Sequence, residues 1–318
     1  MQLTHDSAAL TARLTAQLIE ATGALIGHDP AARFGVAVSG GPDSMALLFL
    51  AARAFSGRVA AVTVDHQLRA ASADEAAMVA HWCAGQGIAH AILTPDERQG
   101  GNVSAWARTM RYRLIEGWRV TQGVAWIMTA HHADDQLETV LMRLNRGSGV
   151  AGLAGVRGRA GRVIRPLLAE RRATLQALVD AQRLPHVHDP SNVDPRYDRA
   201  ALRTALADAP WLDAAAAARS AAALAEAEEA IAWSVDALAD AHVRVDGAGW
   251  RLERTDVPRE YLRRLVLRML TLADAPAPRG DSLDHAIMEA AAGRQASLGD
   301  WLLRGGSHWT LRPAPPRK

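Results

Sequence analysis

The chain predicts an α/β fold: an open parallel sheet of about five strands, followed by a smaller, mainly helical C-terminal domain. Two patterns carry that prediction. Short β-branched or apolar runs alternate with helical stretches across the first half, as strands joined by crossover helices do. Beyond "DAPWLD" the composition turns to an alanine-rich helical tract, which sets a boundary near residue 210 and gives domains 1–210 and 211–318.

Taken in order, "THDSAALTARLTAQLIEATG" is an amphipathic helix capped by Asp6 or Ser7 and ended by Gly23. Strands are expected over Phe34 to Val38, Val59 to Val64, Ile88 to Leu93, Val124 to Thr129 and Val163 to Leu168. The intervening helices are Ser44 to Ala54, Ser72 to Gln86 and Val103 to Gly117. In the second domain, Ala214 to Ala241 buries one stripe, and "DVPREYLRRLVLRMLTLA" is a further amphipathic helix. The end, "ASLGDWLLRGGSHWTLRPAPPRK", reads as a small hairpin about Gly305 and Gly306 with a tail.

Composition removes several chemistries. No apolar run approaches the roughly 20 residues of a membrane span, and the N-terminus lacks a signal peptide's basic start and apolar block, so a cytoplasmic location is expected. The single cysteine, Cys83, excludes an internal disulfide, a Cys-x-x-Cys redox pair and a cysteine-held metal centre. Lysine occurs only at Lys318, which excludes a Walker-type phosphate lysine and a Schiff base. Positive charge is therefore arginine. The net charge of +2 hides a segment, Arg143 to Arg172, with eight arginines against one acid, Glu170. Those arginines, Arg143, Arg146, Arg157, Arg159 and Arg162 foremost, read as a loop facing polyanion. Codon bias toward arginine and a solvated face are the alternatives.

The turn from Ser39 to Ser44 leaves the first strand and opens a helix. Ligands of open parallel sheets sit outside the carboxyl ends of the strands. Glycines let backbone approach a ligand, and a helix N-terminus offers free N–H groups, so the occupant is an anion, most simply phosphate. A turn serving packing alone is the alternative for a bare Gly-Gly. The whole hexapeptide, Ser39-Gly40-Gly41-Pro42-Asp43-Ser44, resembles the SGGxDS signature of the PP-loop ATP pyrophosphatases, whose fold is adenine-nucleotide α-hydrolase-like. It matches neither the dinucleotide nor the Walker pattern.

Further segments narrow the resemblance. "VDHQLRAAS", "GNVSAWARTMRYRLI", "TAHHADDQLETVLMRLNRGSGVAGLAGV" and "IRPLL" followed by "DPSN" stand in the order found in tRNA(Ile)-lysidine synthases, which the chain resembles from about residue 34 to 203. Ala200 replaces a usual Asn, and His186 and His188 stand near a usual aromatic.

The resemblance implies ATP and Mg²⁺ as cofactors, and isoleucine tRNA with a CAU anticodon and free L-lysine as partners. The C2 oxygen of the wobble cytidine would be adenylylated, and the lysine ε-amine would then expel AMP. Ser39, Gly40, Gly41, Pro42, Asp43 and Ser44 would hold the phosphates, with Asp65, His66 and His132 near the nucleotide. Asp43 would also organise Mg²⁺ or the loop.

Asp135 and Glu138 share a helix face at i and i+3 and are assigned to the lysine ammonium; Asp134, at i and i+4 with Glu138, is assigned to metal or loop. Acids stabilising a helix dipole are the alternative for Asp134 and Asp135. Adjacent His131 and His132 cannot both face one transition metal. Arg111 and Arg203 are chosen to neutralise charge at the α-phosphate, and Arg108 to form a structural ion pair.

The second domain is expected to contact tRNA. Homodimerisation stays open, since no sequence feature favours it. Two other functions remain in view: a PP-loop enzyme amidating or thiolating another substrate, and a silent nucleotide-binding regulator.

Overall fold

The structure is a computed structural model that describes residues 2–68, 71–96, 103–187, 198–278 and 281–315. The DPSN element, His188 and Lys318 lie outside the described residues. The chain divides into two compact units, Met1–Ala225 and Glu226–Lys318.

The first helix, α1 (Gln2–Ile26), starts before Asp6 and runs past Gly23. It ends where Gly27 takes φ 78° and its amide bonds to Gly23 O, so the left-handed stop is Gly27. Then come β1 (Phe34–Ala37), α2 (Pro42–Ala54), β2 (Val59–Val64), α3 (Ser72–Gly85), β3 (Ala89–Leu93), α4 (Val103–Thr121) and β4 (Trp126–Met128). Next are α5 (Ala133–Leu144), the short α6 (Val150–Leu153), β5 (Arg159–Ala160), β6 (Val163–Ile164), α7 (Arg172–Ala181) and α8 (Asp198–Ala207). The strand expected to reach Leu168 stops at Ile164.

The sheet order is β3-β2-β1-β4-β6-β5. All pairings are parallel except β5 with β6, a short hairpin at the edge. The five expected strands are present, and β5 is the addition. Both faces are covered, as a parallel sheet requires. Alternate residues of β2 divide between them: Ala61 joins a core with Leu47, Leu50, Val79 and Leu178, while Ala60 and Val62 join Ile115 and Trp118 of α4. The order reverses between β1 and β4, which opens a crevice at their carboxyl ends.

Helix α9 (Ala214–His242) contains the division between the units. The division falls inside this helix rather than near residue 210, because Ala214, Ala217 and Ala218 pack with Ala133 and Leu137 of α5. The second unit continues with β7 (Val243–Asp246), β8 (Gly249–Leu252), α10 (Arg259–Leu272), α11 (Ser282–Ala291), β9 (Gln295–Leu298), β10 (Trp301–Arg304) and β11 (Trp309–Pro313). It is mainly helical as expected. The hairpin about Gly305 and Gly306 joins β10 to β11 in an antiparallel sheet of order β7-β8-β11-β10-β9, larger than the hairpin alone. Leu252, Leu265, Met269, Leu303 and Leu311 form its core. Arg264 bonds Glu228 through both Nη atoms at 2.7 Å and Glu260 through Nε at 2.7 Å, tying α9 to α10. Among the described residues, no helix is long and apolar enough to cross a membrane.

One buried amide sets the position of α5. Gln136 donates through Nε2 to Val156 O at 2.8 Å and accepts from Val156 N at 2.7 Å. Gln136→Leu strands both backbone groups and should cost about 2–4 kcal/mol, read as a lower urea midpoint at unchanged slope.

Candidate active site

Residues Val38 to Gly41 carry the chain from β1 into α2. Gly40 takes φ 84°, and an added Cβ would lie 3.3 Å from Val187 Cγ2 and 3.4 Å from Met78 Cε, so the turn tolerates only glycine without strain. Pro42 occupies the first turn of α2, where its missing N–H costs nothing. Ser44 Oγ donates to Gly41 O at 2.8 Å and accepts from Ser39 N at 3.2 Å, with Ser39 Oγ 3.4 Å away. These bonds brace the turn from inside. The Gly41 N-cap makes no side-chain bond, so its end of the helix is left for an anion. Val187 N donates to Gly40 O at 2.9 Å, which brings the segment before DPSN onto the turn.

Asp43 stands on the first turn of α2. One carboxylate oxygen, Oδ1, is buried with no hydrogen-bond partner; the other lies 3.5 Å from His132 Nε2. A lone buried carboxylate oxygen is the donor a hard divalent cation takes. Asp43 therefore fits Mg²⁺.

His132 caps α5. The Asp135 amide donates to His132 Nδ1 at 3.3 Å, and the His132 amide donates to Asp135 Oδ2 at 3.2 Å. Burial acts to lower the His132 pKa, but its bond to Asp43 and the charges of Asp135, Asp43 and Asp134 together raise it. The cap opposes protonation, because Nδ1 already accepts an N–H. The neutral Nε2–H form, aimed at Asp43, satisfies every one of these contacts. His131 is held by Thr129 Oγ1 at 3.0 Å and pushed down to about 4, first by burial and then by Arg165, Arg199 and Arg108, against Asp135.

Asp134 points away from Asp43. Its Oδ2 accepts from Arg172 N at 2.8 Å, and Arg171 reaches both oxygens at 3.4 Å. This clamps α5 to the start of α7. Among the described residues, no cluster of three His, Cys, Asp or Glu side chains is arranged to hold a metal ion.

Two arginines of α8 face the acids. Glu138, 3% exposed, bonds Arg203 Nε at 2.5 Å through Oε1. Arg199 Nε stands 2.9 Å from Oε2, close enough for an ion pair but off hydrogen-bond alignment, and its Nη2 donates to Thr139 at 3.0 Å. Arg203 Nη2 also lies 3.4 Å from Asp135 Oδ1. Burial alone would lower the Arg203 pKa; Glu138, Asp135 and Asp43 raise it instead. Arg111 is solvent-reachable yet walled by protein, and burial pulls its pKa down. Arg108 lies over the Tyr112 ring at 5.2 Å, and among the described residues it makes no ion pair of the expected kind. Ala200, 4% exposed, turns inward on α8 and packs where the resemblance expects Asn.

At the end of β2, Asp65 Oδ1 accepts from Gln67 N at 2.8 Å, fixing the turn that presents His66. The basic segment does not act as one surface. Arg143 donates through Nη1 to Gly152 O at 2.6 Å and Gly155 O at 2.9 Å, capping the carbonyls of α6. Arg157 is half-buried and bonds Ala151 O at 3.3 Å. Arg159 and Arg162 lie over Trp126 at 4.6 and 4.9 Å, at the amino end of β4 and so away from the crevice. Arg146 is exposed and pairs with Asp198 at 3.2 Å. Pattern reading gave no role to Thr129, Gln136, Arg165 or Arg171, although all four stand in segments it had singled out: the first two in "TAHHADDQLET", the arginines in the basic stretch.

Fold and site together define a parallel-sheet protein of the nucleotide-using class, with a glycine turn open at a helix start and acids and arginines beside the neighbouring strand end. The sequence model of the PP-loop domain matches residues 12–209. A tRNA(Ile)-lysidine synthase of Zymomonas mobilis is 41% identical over 309 residues, covering 94% of each chain. That of Novosphingobium aromaticivorans is 41% identical over 302 residues, covering 91% of each. The chain belongs to the tRNA(Ile)-lysidine synthase family. Among solved structures, a U34-tRNA thiolase from Methanococcus maripaludis shares the fold, with TM-score 0.54 at 16% identity over 66% of this chain and 78% of that one.

The contacts of Arg143 give a test. Arg143→Ala should lower stability by about 1.5–3 kcal/mol in urea unfolding and leave RNA affinity within about twofold, since its N–H donors are occupied by carbonyls and cannot grip a phosphate.

Proposed function

We infer that the crevice cluster divides the two half-reactions of lysidine formation among Asp43, the arginines and Asp135. The chain is an AMP-forming carbon–nitrogen ligase that uses ATP to make lysidine in tRNA(Ile). The observation that carries this function is the matching of lysidine synthases along nearly the whole chain, with the glycine turn and the acid cluster both intact. Cys83 is fully buried, and burial raises its thiol to about 11, which speaks against a thiolating relative. The work on tRNA favours the cytoplasm as its site.

In the first half-reaction, the C2 oxygen of the wobble cytidine in a CAU anticodon attacks the α-phosphorus of ATP. The bond to the β-phosphate oxygen breaks and pyrophosphate leaves. The turn Ser39 to Ser44 holds the outer phosphates, and Arg111 faces the charge that develops at the inner one. Asp43 would hold Mg²⁺, which when bound would supply Lewis-acid neutralisation of the phosphates. His132 fixes Asp43 from behind.

In the second, the lysine amine bonds to C2 and AMP departs with the C2 oxygen. An ammonium with a pKa of about 10.4 must first lose a proton. Asp135 is the better seat for it. Glu138 is already covered by Arg199 and Arg203, so an incoming ammonium meets Asp135 first and Glu138 positions the two arginines.

The assay supplies ATP, Mg²⁺, labelled lysine and isoleucine tRNA with a CAU anticodon, and follows pyrophosphate, AMP and label in RNA. Asp43→Ala should abolish pyrophosphate release. Asp135→Asn should keep it while lysine incorporation falls at least a hundredfold. Glu138→Gln should depress both steps by releasing Arg203. ADP as the product, or label on methionine tRNA to equal extent, would refute the reading.

A further inference from the structure

We propose that Trp211 is a stacking platform for a base of the tRNA anticodon loop that neighbours the reacting cytidine. The proposal rests on the lysidine-forming reading above and adds a residue that reading does not employ.

Tryptophan is highly buried on average, so an indole left in solvent carries information. Trp211 is 78% exposed, whereas Trp118, Trp126 and Trp309 are buried. Its backbone is nonetheless fixed. The Leu212 amide donates to Ala209 O at 3.0 Å across Pro210 and Trp211, closing a four-residue turn with proline at its second position and tryptophan at its third. Proline's locked φ suits that second position. Both sides of the tip are anchored: Leu206 and Leu212 join the core of Ala133, Leu137 and Ala214, and Asp213 accepts from Ala215 N at 2.9 Å where α9 begins. The chain thus holds a large flat ring outside its core on a braced turn, so little ordering cost remains when a partner settles on it.

Its position selects the occupant. The turn joins α8, which carries Arg199 and Arg203, to α9, and its leucines pack on α5, which carries Asp135 and Glu138. Trp211 therefore stands on the elements that form the crevice wall, where the RNA must come for its cytidine to reach the acids. Two residues further on, Asp213 holds the exposed Arg171 guanidinium at 3.3 Å. A single-stranded RNA loop offers what such a surface takes, unstacked bases for an aromatic face and phosphates for arginine. Asp208 and Asp213 flank the indole and would repel phosphate, so the indole meets a base and the backbone falls to Arg171. One ring among charges is too small an apolar patch for a protein partner. Every base has a π face, so the stack adds affinity and orientation without reading the anticodon.

Fluorescence anisotropy follows binding of a labelled anticodon stem-loop of isoleucine tRNA to the full chain, for the wild type, Trp211→Ala, Trp211→Gln and Trp211→Phe. A second series uses loops in which one base at a time is replaced by an abasic site. Trp211→Ala and Trp211→Gln should each weaken the RNA about tenfold at unchanged urea midpoint and ATP affinity, and Trp211→Phe by no more than about threefold. In turnover the KM for tRNA should rise while kcat holds. One abasic loop should bind the wild type about tenfold less tightly yet show no further loss with Trp211→Ala, which marks the stacked base. Unchanged RNA affinity in the folded variants overturns the proposal, and so does a loss that adds in full to that of every abasic loop. Wild-type self-association in sedimentation that Trp211→Ala abolishes with RNA affinity intact also overturns it, because a second copy would then be the occupant. Should Trp211→Ala not fold, Trp211→Gln decides, and loss of folding in both defeats the proposal by making the indole structural. A wild type that incorporates lysine beside a silent Trp211→Ala removes the platform alone, whereas a wild type that leaves no label in RNA removes the underlying reading.

Discussion

Charge compensation in a half-enclosed crevice governs this site. Asp43, Asp135 and Glu138 converge there from α2 and α5, and each would repel the others and ATP if left bare. Arg199 and Arg203 of α8 neutralise Glu138, and His132 stands between Asp43 and Asp135. Removing one partner of such a buried pair costs far more than the pair contributes net. The arrangement therefore depends on α5 and α8 keeping their positions, and α5 is anchored twice: by the neutral amide of Gln136 on Val156 and by the Asp134 carboxylate on the start of α7.

Sheet and site were legible to different degrees, for physical reasons. The strands could be read because a parallel sheet buried on both faces needs runs such as Val59 to Val64, and the glycine turn because φ 84° at Gly40 admits little else. The ends of α1 misled, since Asp6, Ser7 and Gly23 are acceptable inside a helix as well as at its ends. The second unit's sheet escaped because β7, β8 and β9 are four residues each and lack strong alternation. Asp134 and Asp135 are chemically alike in the sequence. Only the fold separates them, turning one to α7 and the other into the crevice.

The arginine-rich segment shows why charge counted along a chain overstates a binding surface. Arg143 and Arg165 donate to main-chain carbonyls, Arg171 to Asp134, and Arg159 and Arg162 lie over Trp126. A guanidinium has five donors, so it can hold irregular backbone such as residues 145–158 in place while staying charged. Electrostatic attraction for RNA survives this use, because the charge is not cancelled. The loss is directional: those side chains cannot swing out to grip a phosphate without releasing the backbone they support.

Arginine also narrows where protons move. With Lys318 the only lysine, every cation named in the crevice keeps its charge at any working pH, and titration falls to acids and histidines. His66 and His131 are held neutral by burial and neighbouring arginines. His132 has Nδ1 occupied by the Asp135 amide and Nε2 directed at Asp43. None of the three is suited to take a proton from an incoming ammonium: burial sets His66 and His131 against protonation, and the acceptor nitrogen of His132 is occupied. The carboxylate of Asp135 has one oxygen in the helix cap and the other 3.4 Å from Arg203, a contact long enough for an ammonium to displace. On that geometry, the group proposed to seat the amine is also the one placed to take its proton.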